Sequence, residues 1–260
     1  MRNGKRLTWD WEDFAAPDFG RHDRKGVPEV ILADRTTVEQ SIAIARAFLE
    51  RTGRAVLSRV GSDLEARLRE DLAGVAEIDW RAGCRGAVLR ATGTAARPWG
   101  STPRPTGGRV GILTAGTSDI PAAEEAAMVC REMGCEVFSL IDVGVAGLHR
   151  LLEPLRTMLD EHDVDVLVVA AGMDGALPSV VAGLATVPVV GLPTSVGTGH
   201  GGGGEAALSS MLQSGAPGLC VVNIDNGVGA GSVAGMIANR AAHARAPSAR
   251  KPAARTPPKR

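Results

Sequence analysis

From residue 109 onward, five strand-like apolar runs alternate with five helical patterns, and this alternation constrains the fold more than any other feature of the chain. RVGILTAG (109–116) precedes a helix over 119–134, and CEVFSLIDV (135–143) precedes one over 145–160. DVLVVAAG (165–172) precedes LPSVVAGLA, VPVVGLP (187–193) precedes EAALSSMLQSG, and GLCVVNID (218–225) precedes GSVAGMIANRAAHA. The strand runs are continuously apolar and β-branched, as strands buried on both faces of a parallel sheet must be. Strand–helix alternation of this length predicts an open, doubly wound α/β layer of the flavodoxin or Rossmann kind.

Before this core, residues 1–95 read as a smaller N-terminal α/β region. TTVEQSIAIARAFLERTG predicts an amphipathic helix, with a threonine to cap it and Gly53 to end it, beside the short strand-like runs RAVLSRV and RGAVLRA that follow it. The Pro/Gly/Ser/Thr-rich stretch around 92–108 predicts a linker, set at 96–108, ahead of a core domain at 109–243. The last segment, 244–260, has the composition of a disordered tail. Arg250, Lys251, Arg255, Lys259 and Arg260 give its end a charge of +5, so the rest of this neutral chain carries −5. A solvated overhang is the favoured reading of the tail, and attachment to an acidic partner the alternative.

Composition excludes several classes. With no tyrosine and 3% aromatics, the chain lacks the stacking platforms of a sequence-tolerant nucleic-acid binder. No run has membrane-spanning length or a signal-peptide pattern. The four cysteines (Cys84, Cys130, Cys135, Cys220) form no CxxC pair, which fits a reducing cytoplasm and argues against structural zinc. Cys220, inside an apolar run, is expected to be a buried small hydrophobe.

In a doubly wound sheet, ligands bind outside the carboxyl ends of the strands. Those ends carry TAGTSD, DVGVAG, AAGMDG, GLPTSVGTGHGGGG and VNIDNGVGAG, so Gly, Ser, Thr and Asp converge on one edge. Gly116, Thr117 and Ser118, with Asp119, open a helix whose free N–H groups suit phosphate, and Ser118 or Asp119 suits its cap equally well. There is no GxGxxG and no Walker lysine, so dinucleotide-fingerprint and P-loop readings are weak.

Gly172, Met173 and Gly175 flank Asp174, a carboxylate placed for proton transfer or for capping the next helix. In PTSVGTGHGGGG, seven of twelve residues are Gly or Pro. Ser195, Gly197, Gly199, His200, Gly201 and Gly202 there predict a backbone cradle for an anion. Asn223, Asp225 and Asn226 end the fifth strand, where turn formation also explains them.

Five segments, GILTAGTSDIPAAEEAA, DVGVAGLHRLL, AGMDGALPSVVAGL, PVVGLPTSVG and VVNIDNGVGAG, together resemble the aminoimidazole ribonucleotide (AIR) carboxylase superfamily, which includes the purine-pathway PurE enzymes. RHDRKGVPEVILADRTTVEQ is similar to the opening of its LarB branch, which serves nickel-pincer-nucleotide cofactor synthesis. The resemblance spans roughly residues 18–240. It implies an AIR carboxylase-type core and a cytoplasmic carboxylase/hydrolase. Such an enzyme carboxylates the pyridinium ring of nicotinic acid adenine dinucleotide and cleaves its phosphoanhydride to release AMP.

In that chemistry a cysteine adds to the ring so that a neighbouring carbon can attack CO₂, and a carboxylate takes the ring proton. Asp174 is the implied general acid/base, Asp119 a second catalytic carboxylate, and the glycine, serine, histidine and asparagine positions above the substrate contacts. The resemblance also implies CO₂ or bicarbonate as co-substrate, no tightly bound cofactor, Mg²⁺ as a candidate accessory ion, and a homo-oligomer, commonly an octamer.

The chain departs from the branch at three places. Where the branch reads SCAPG, this chain has Ser214-Gly215-Ala216-Pro217-Gly218, which puts Gly215 at the nucleophile's position. GMEGALPS is GMDGALPS here, and Thr198 stands where an aromatic is expected. Purine-pathway carboxylases use a histidine in the turn that here holds Met173 and Asp174. A purine-type carboxylase and a catalytically weakened nucleotide-binding paralogue are therefore the two alternatives.

Overall fold

The computed structural model describes residues 11–93 and 102–246, with two sheets in one chain. The predicted linker falls partly, and the basic tail mostly, outside these residues.

The second sheet is the predicted one. Its strands are β5 (Arg109–Thr114), β6 (Glu136–Leu140), β7 (Val166–Ala171), β8 (Val189–Pro193) and β9 (Leu219–Val221), all parallel, in the order β6-β5-β7-β8-β9. This is the flavodoxin-like order, with the topological switch between β5 and β7. Every residue of β7 is buried. Val166, Val168 and Ala170 face one apolar layer while Leu167, Val169 and Ala171 face the other, which explains why the run shows no polar alternation.

Helices α4 (Ile120–Glu132) and α8 (Gly227–Arg245) cover the first face. Helices α5 (His149–Asp160), α6 (Ala176–Leu184) and α7 (Glu205–Leu212) cover the second. Helix α8 begins four residues before the expected start, because the Asn226 side chain accepts from Gly229 N and caps it there. Its glycines let it lie almost backbone to backbone on α4: a Cβ at Gly231 would stand 2.5 Å from Ala126 O.

The first sheet orders β1 (Val30–Leu32), β2 (Arg54–Ser58), β4 (Gly86–Ala91) and β3 (Ala76–Arg81), with β1 parallel to β2 and the others antiparallel. After the short helix α1 (Arg21–Lys25), helix α2 (Val38–Thr52) is the predicted amphipathic helix. A Thr37/Gln40 capping box starts it and left-handed Gly53 ends it. The sequence reading did not pick out β1, β3 or α3 (Ser62–Asp71). Strand β3 is partly exposed along its length and α3 buries only Leu64 and Leu68, so their periodicity is faint.

Strands β2 and β4 are the two strand-like runs RAVLSRV and RGAVLRA, and their side chains alternate between two apolar layers. Ala55, Leu57, Ala87 and Leu89 pack on α2 and α3, whereas Val56 and Val88 pack with Cys84 and Met128, the last on α4. Helix α4 is thus sandwiched between the two sheets.

One residue expectation is overturned. Cys220 is exposed, because three-residue β9 is an edge strand covered on one side only. Among the described residues, no helix is long and apolar enough to cross a membrane.

Candidate functional site

The switch point places the loops after β5 and β7 side by side, with the loop after β8 beyond them and the turn after β9 at the far edge. Asp119 ties three of these together from below. It is 3% exposed, its Oδ2 accepts from Gly116 N at 2.8 Å, and its Oδ1 accepts from Thr194 Oγ1 at 2.5 Å. Burial pushes this carboxyl above its ordinary range, against the opposing pull of hydrogen bonds from Thr194, Gly116 and Gly172. Asp119 makes no side-chain cap to α4; its oxygens face the loops instead.

Above this floor the predicted residues are mostly open. Thr117, Ser118, Met173, Asp174, Ser195, Gly199, His200 and Asn223 are exposed. Among the described residues Asp174 makes no hydrogen bond or ion pair, and α6 starts at left-handed Gly175 without a side-chain cap. Asp174 is therefore free to meet a ligand.

The β7 turn is built by close backbone approach. A Cβ at Gly175 would stand 2.6 Å from Ala207 O, and one at Gly197 would stand 2.8 Å from Met173 N. Met173 itself holds a positive φ of 47°, a backbone conformation that non-glycine residues seldom adopt.

In the glycine loop the predicted cradle is partly closed on itself. Gly202 N donates to Gly199 O at 3.1 Å and Gly203 N to Gly197 O at 3.2 Å, while His200 stands at the exposed rim. At the β9 end, Asn223 accepts from Ile224 N and Asn226 caps α8, both turn-forming roles. Asp225 reaches across instead: its Oδ1 accepts from Ser195 N at 2.9 Å and its N–H donates to Pro193 O at 2.9 Å.

Sequence reasoning missed Arg59, which follows β2 in the N-terminal domain and donates from Nη2 to Asp225 O at 2.7 Å. It lies 166 positions from its partner, in a run that read as plain strand, and no local signal could have found it. Its guanidinium remains charged: burial alone would lower its pKa, but Glu125 and Asp34 outweigh this.

Gly215 precedes β9 and so lies toward the amino ends of the strands. Within one chain it does not share the edge of Asp119 and Asp174. It is exposed, and a Cβ built there meets nothing within 4 Å. Neighbouring Ser214 bonds Ser179 at 2.8 Å. Cys220, also before the carboxyl edge, has its Sγ turned inward to Val189 O, and partial desolvation of the sulfur in this otherwise exposed residue raises its pKa, the opposite of thiolate activation.

Among the described residues no group of three or more His, Cys, Asp or Glu could hold a metal ion. A cavity of about 290 Å³ lies elsewhere, lined by Asp18, Phe19, His22, Arg51 and Arg54 of the N-terminal domain. Much of its charged lining is internally paired: Arg24 with Asp18, and Arg54 with Glu132.

Residues 109–254 match the family model described as AIR carboxylase, and residues 10–85 match a LarB/PurE-like N-terminal domain. The chain is 39% identical over 224 residues to an uncharacterized protein of Methanocaldococcus jannaschii, covering 85% of this chain and 82% of that one. It is 34% identical over 124 residues to an N5-carboxyaminoimidazole ribonucleotide mutase of the same organism (47% of this chain, 74% of the mutase). With the Thermotoga maritima mutase it shares 27% identity over 132 residues, covering 50% of this chain and 74% of that enzyme.

Proposed function

This chain belongs to the AIR carboxylase family and carries a LarB/PurE-like N-terminal domain, and from that premise we propose that it is a nucleotide carboxylase of cofactor synthesis. Its substrate on this reading is nicotinic acid adenine dinucleotide, its co-substrate CO₂ or bicarbonate, and its products a carboxylated pyridinium mononucleotide and AMP. The observation that carries the reading is the carboxyl edge itself: three loops pinned from below by buried Asp119, with unpaired Asp174 standing free above them. The N-terminal domain favours the LarB branch over a purine mutase, since the matched mutases cover about half of this chain.

The residues divide the work by their geometry. The exposed Thr117 and Ser118 hydroxyls, with the N–H groups opening α4, receive phosphate. The Ser195–His200 rim and Asn223 contact ribose and the second nucleotide. Asp174 takes the ring proton, having no partner to compete for it. Asp119 holds the loops in place. Mg²⁺ needs few protein ligands when it arrives on substrate phosphates, and no step is assigned to it.

A pyridinium cannot attack CO₂ until a nucleophile supplies electron density. The branch's cysteine position is Gly215, on the edge opposite Asp174. We place the working site between copies of a homo-oligomer, where one copy's amino edge meets another's carboxyl edge. Gly215 also motivates a second reading, a paralogue that binds the nucleotide and has lost ring chemistry.

Incubation with nicotinic acid adenine dinucleotide, Mg²⁺ and bicarbonate separates the two. AMP release with a mass gain of one CO₂ supports the carboxylase. Tight binding without turnover supports the paralogue, and no binding at all defeats both.

A further inference from the structure

The N-terminal domain meets helix α4 through two glutamates on the same helical face, seven residues apart. Glu132 accepts from Arg54 at 3.0 Å and Arg90 at 2.8 Å, and this cluster ends at the domain contact. Glu125 accepts from Ser58 Oγ, from Arg59 Nε at 3.2 Å and from Val228 N at 3.0 Å, and this cluster continues toward the carboxyl edge.

Arg59 is the link. It holds a left-handed backbone (φ 59°), and its guanidinium is shared among Glu125, Asp34 Oδ2 at 3.4 Å and the carbonyl of Asp225 at 2.7 Å. Asp225 is also left-handed (φ 53°), a conformation non-glycine residues seldom keep without external support. In that conformation its carboxylate reaches Ser195 N and its N–H reaches Pro193 O. On the other side of the turn, Glu125 anchors Val228 N. The peptide carbonyl of Asp225 and the amide of Val228 are thus both held by one network that starts in the first sheet.

We infer that Arg59 is a positioning residue of the nucleotide cleft: it locks the Asp225 turn, which in turn sets the Ser195 loop. The N-terminal domain is then a working part of the site. This rests on the reading of the carboxyl edge as a nucleotide site, but the lock can be tested without any ligand. A planar fork is needed to bridge Glu125 and the Asp225 carbonyl, which a lysine's point charge cannot do.

The experiment compares Arg59→Ala, Arg59→Lys and Arg90→Ala with the parent chain. Amide hydrogen exchange is followed at Ser195, Asp225 and the α4 interior, with the unfolding temperature as the control for overall stability. Loss of a charge-assisted hydrogen bond should speed exchange at Ser195 and Asp225 by roughly tenfold in Arg59→Ala, with Arg59→Lys intermediate and Arg90→Ala unchanged there.

The dissociation constant for nicotinic acid adenine dinucleotide should rise in the same order. Exchange at these two amides that stays at the parent rate overturns the inference. So does a rise shared equally by Arg90→Ala, or one spread evenly over both domains. If the parent chain binds no nucleotide, the functional reading fails while the exchange pattern still decides the role of Arg59.

Discussion

Asp119 and Asp174 stand beyond neighbouring strands of one sheet, one residue type in two opposite states. Asp119 is buried, accepts from three loops, and has its carboxyl pushed upward by desolvation. Asp174 is exposed with no partner among the described residues, on a turn held by Gly175 and the strained Met173. A carboxylate whose oxygens are occupied can organise a site but has little capacity left for a substrate proton. A free one has the capacity and needs the frame.

The comparison can be broken most sharply at Asp174. Asp174→Asn should cut turnover by about 10²–10⁴-fold, the usual worth of a general base, while shifting stability by no more than about 0.5 kcal/mol. Steady-state AMP release beside a urea melt checks both halves, and an unchanged rate would remove Asp174 from the chemistry. Asp119→Ala should behave the other way. It strands Thr194 Oγ1 and Gly116 N and costs on the order of 3 kcal/mol of stability. A denaturation midpoint equal to the parent's would show that Asp119 does not hold the floor.

Gly215→Cys sharpens the contrast between the two edges. Nothing lies within 4 Å of the new Cβ, so folding should change by no more than about 0.5 kcal/mol. Carboxylated product should rise above the parent's level relative to AMP, by mass spectrometry. A flat ratio counts against Gly215 as the nucleophile's position.

The smallest effect is in pH dependence. The folded pKa of Asp119 is raised, so the folded state holds its proton more tightly than the unfolded chain. Its stabilising contribution is complete below the unfolded value of 3.8 and is lost as pH rises through the folded pKa. The stability of the parent relative to Asp119→Asn should therefore fall as pH climbs from about 4, read from paired urea melts. A difference that grows with pH would mean that the carboxylate is held as a favoured anion.

Much of this edge was legible from local pattern. The β7 run could only be a strand buried on both faces, and Thr37 and Gly53 bracketed α2 by cap chemistry alone. The five polar-glycine loops then had to share one edge. The roles within that edge were less legible. Asp119 read as a helix cap or a catalyst; the structure buries it beneath three loops and gives α4 no side-chain cap from it. Asn226, grouped with the substrate contacts, caps α8. Cys220 looked buried because its run is apolar, and edge position left it exposed.

Local sequence, then, determined the α/β class, the helices with clear caps and the list of residues at the carboxyl ends, because hydrophobic period and capping are read within a few residues. Only the tertiary structure decided the strand order, the burial that separates Asp119 from Asp174, the opposite-edge placement of Gly215 and the reach of Arg59 to Asp225. Each of these depends on which distant surfaces pack together, and no spacing along the chain encodes a contact across 166 residues.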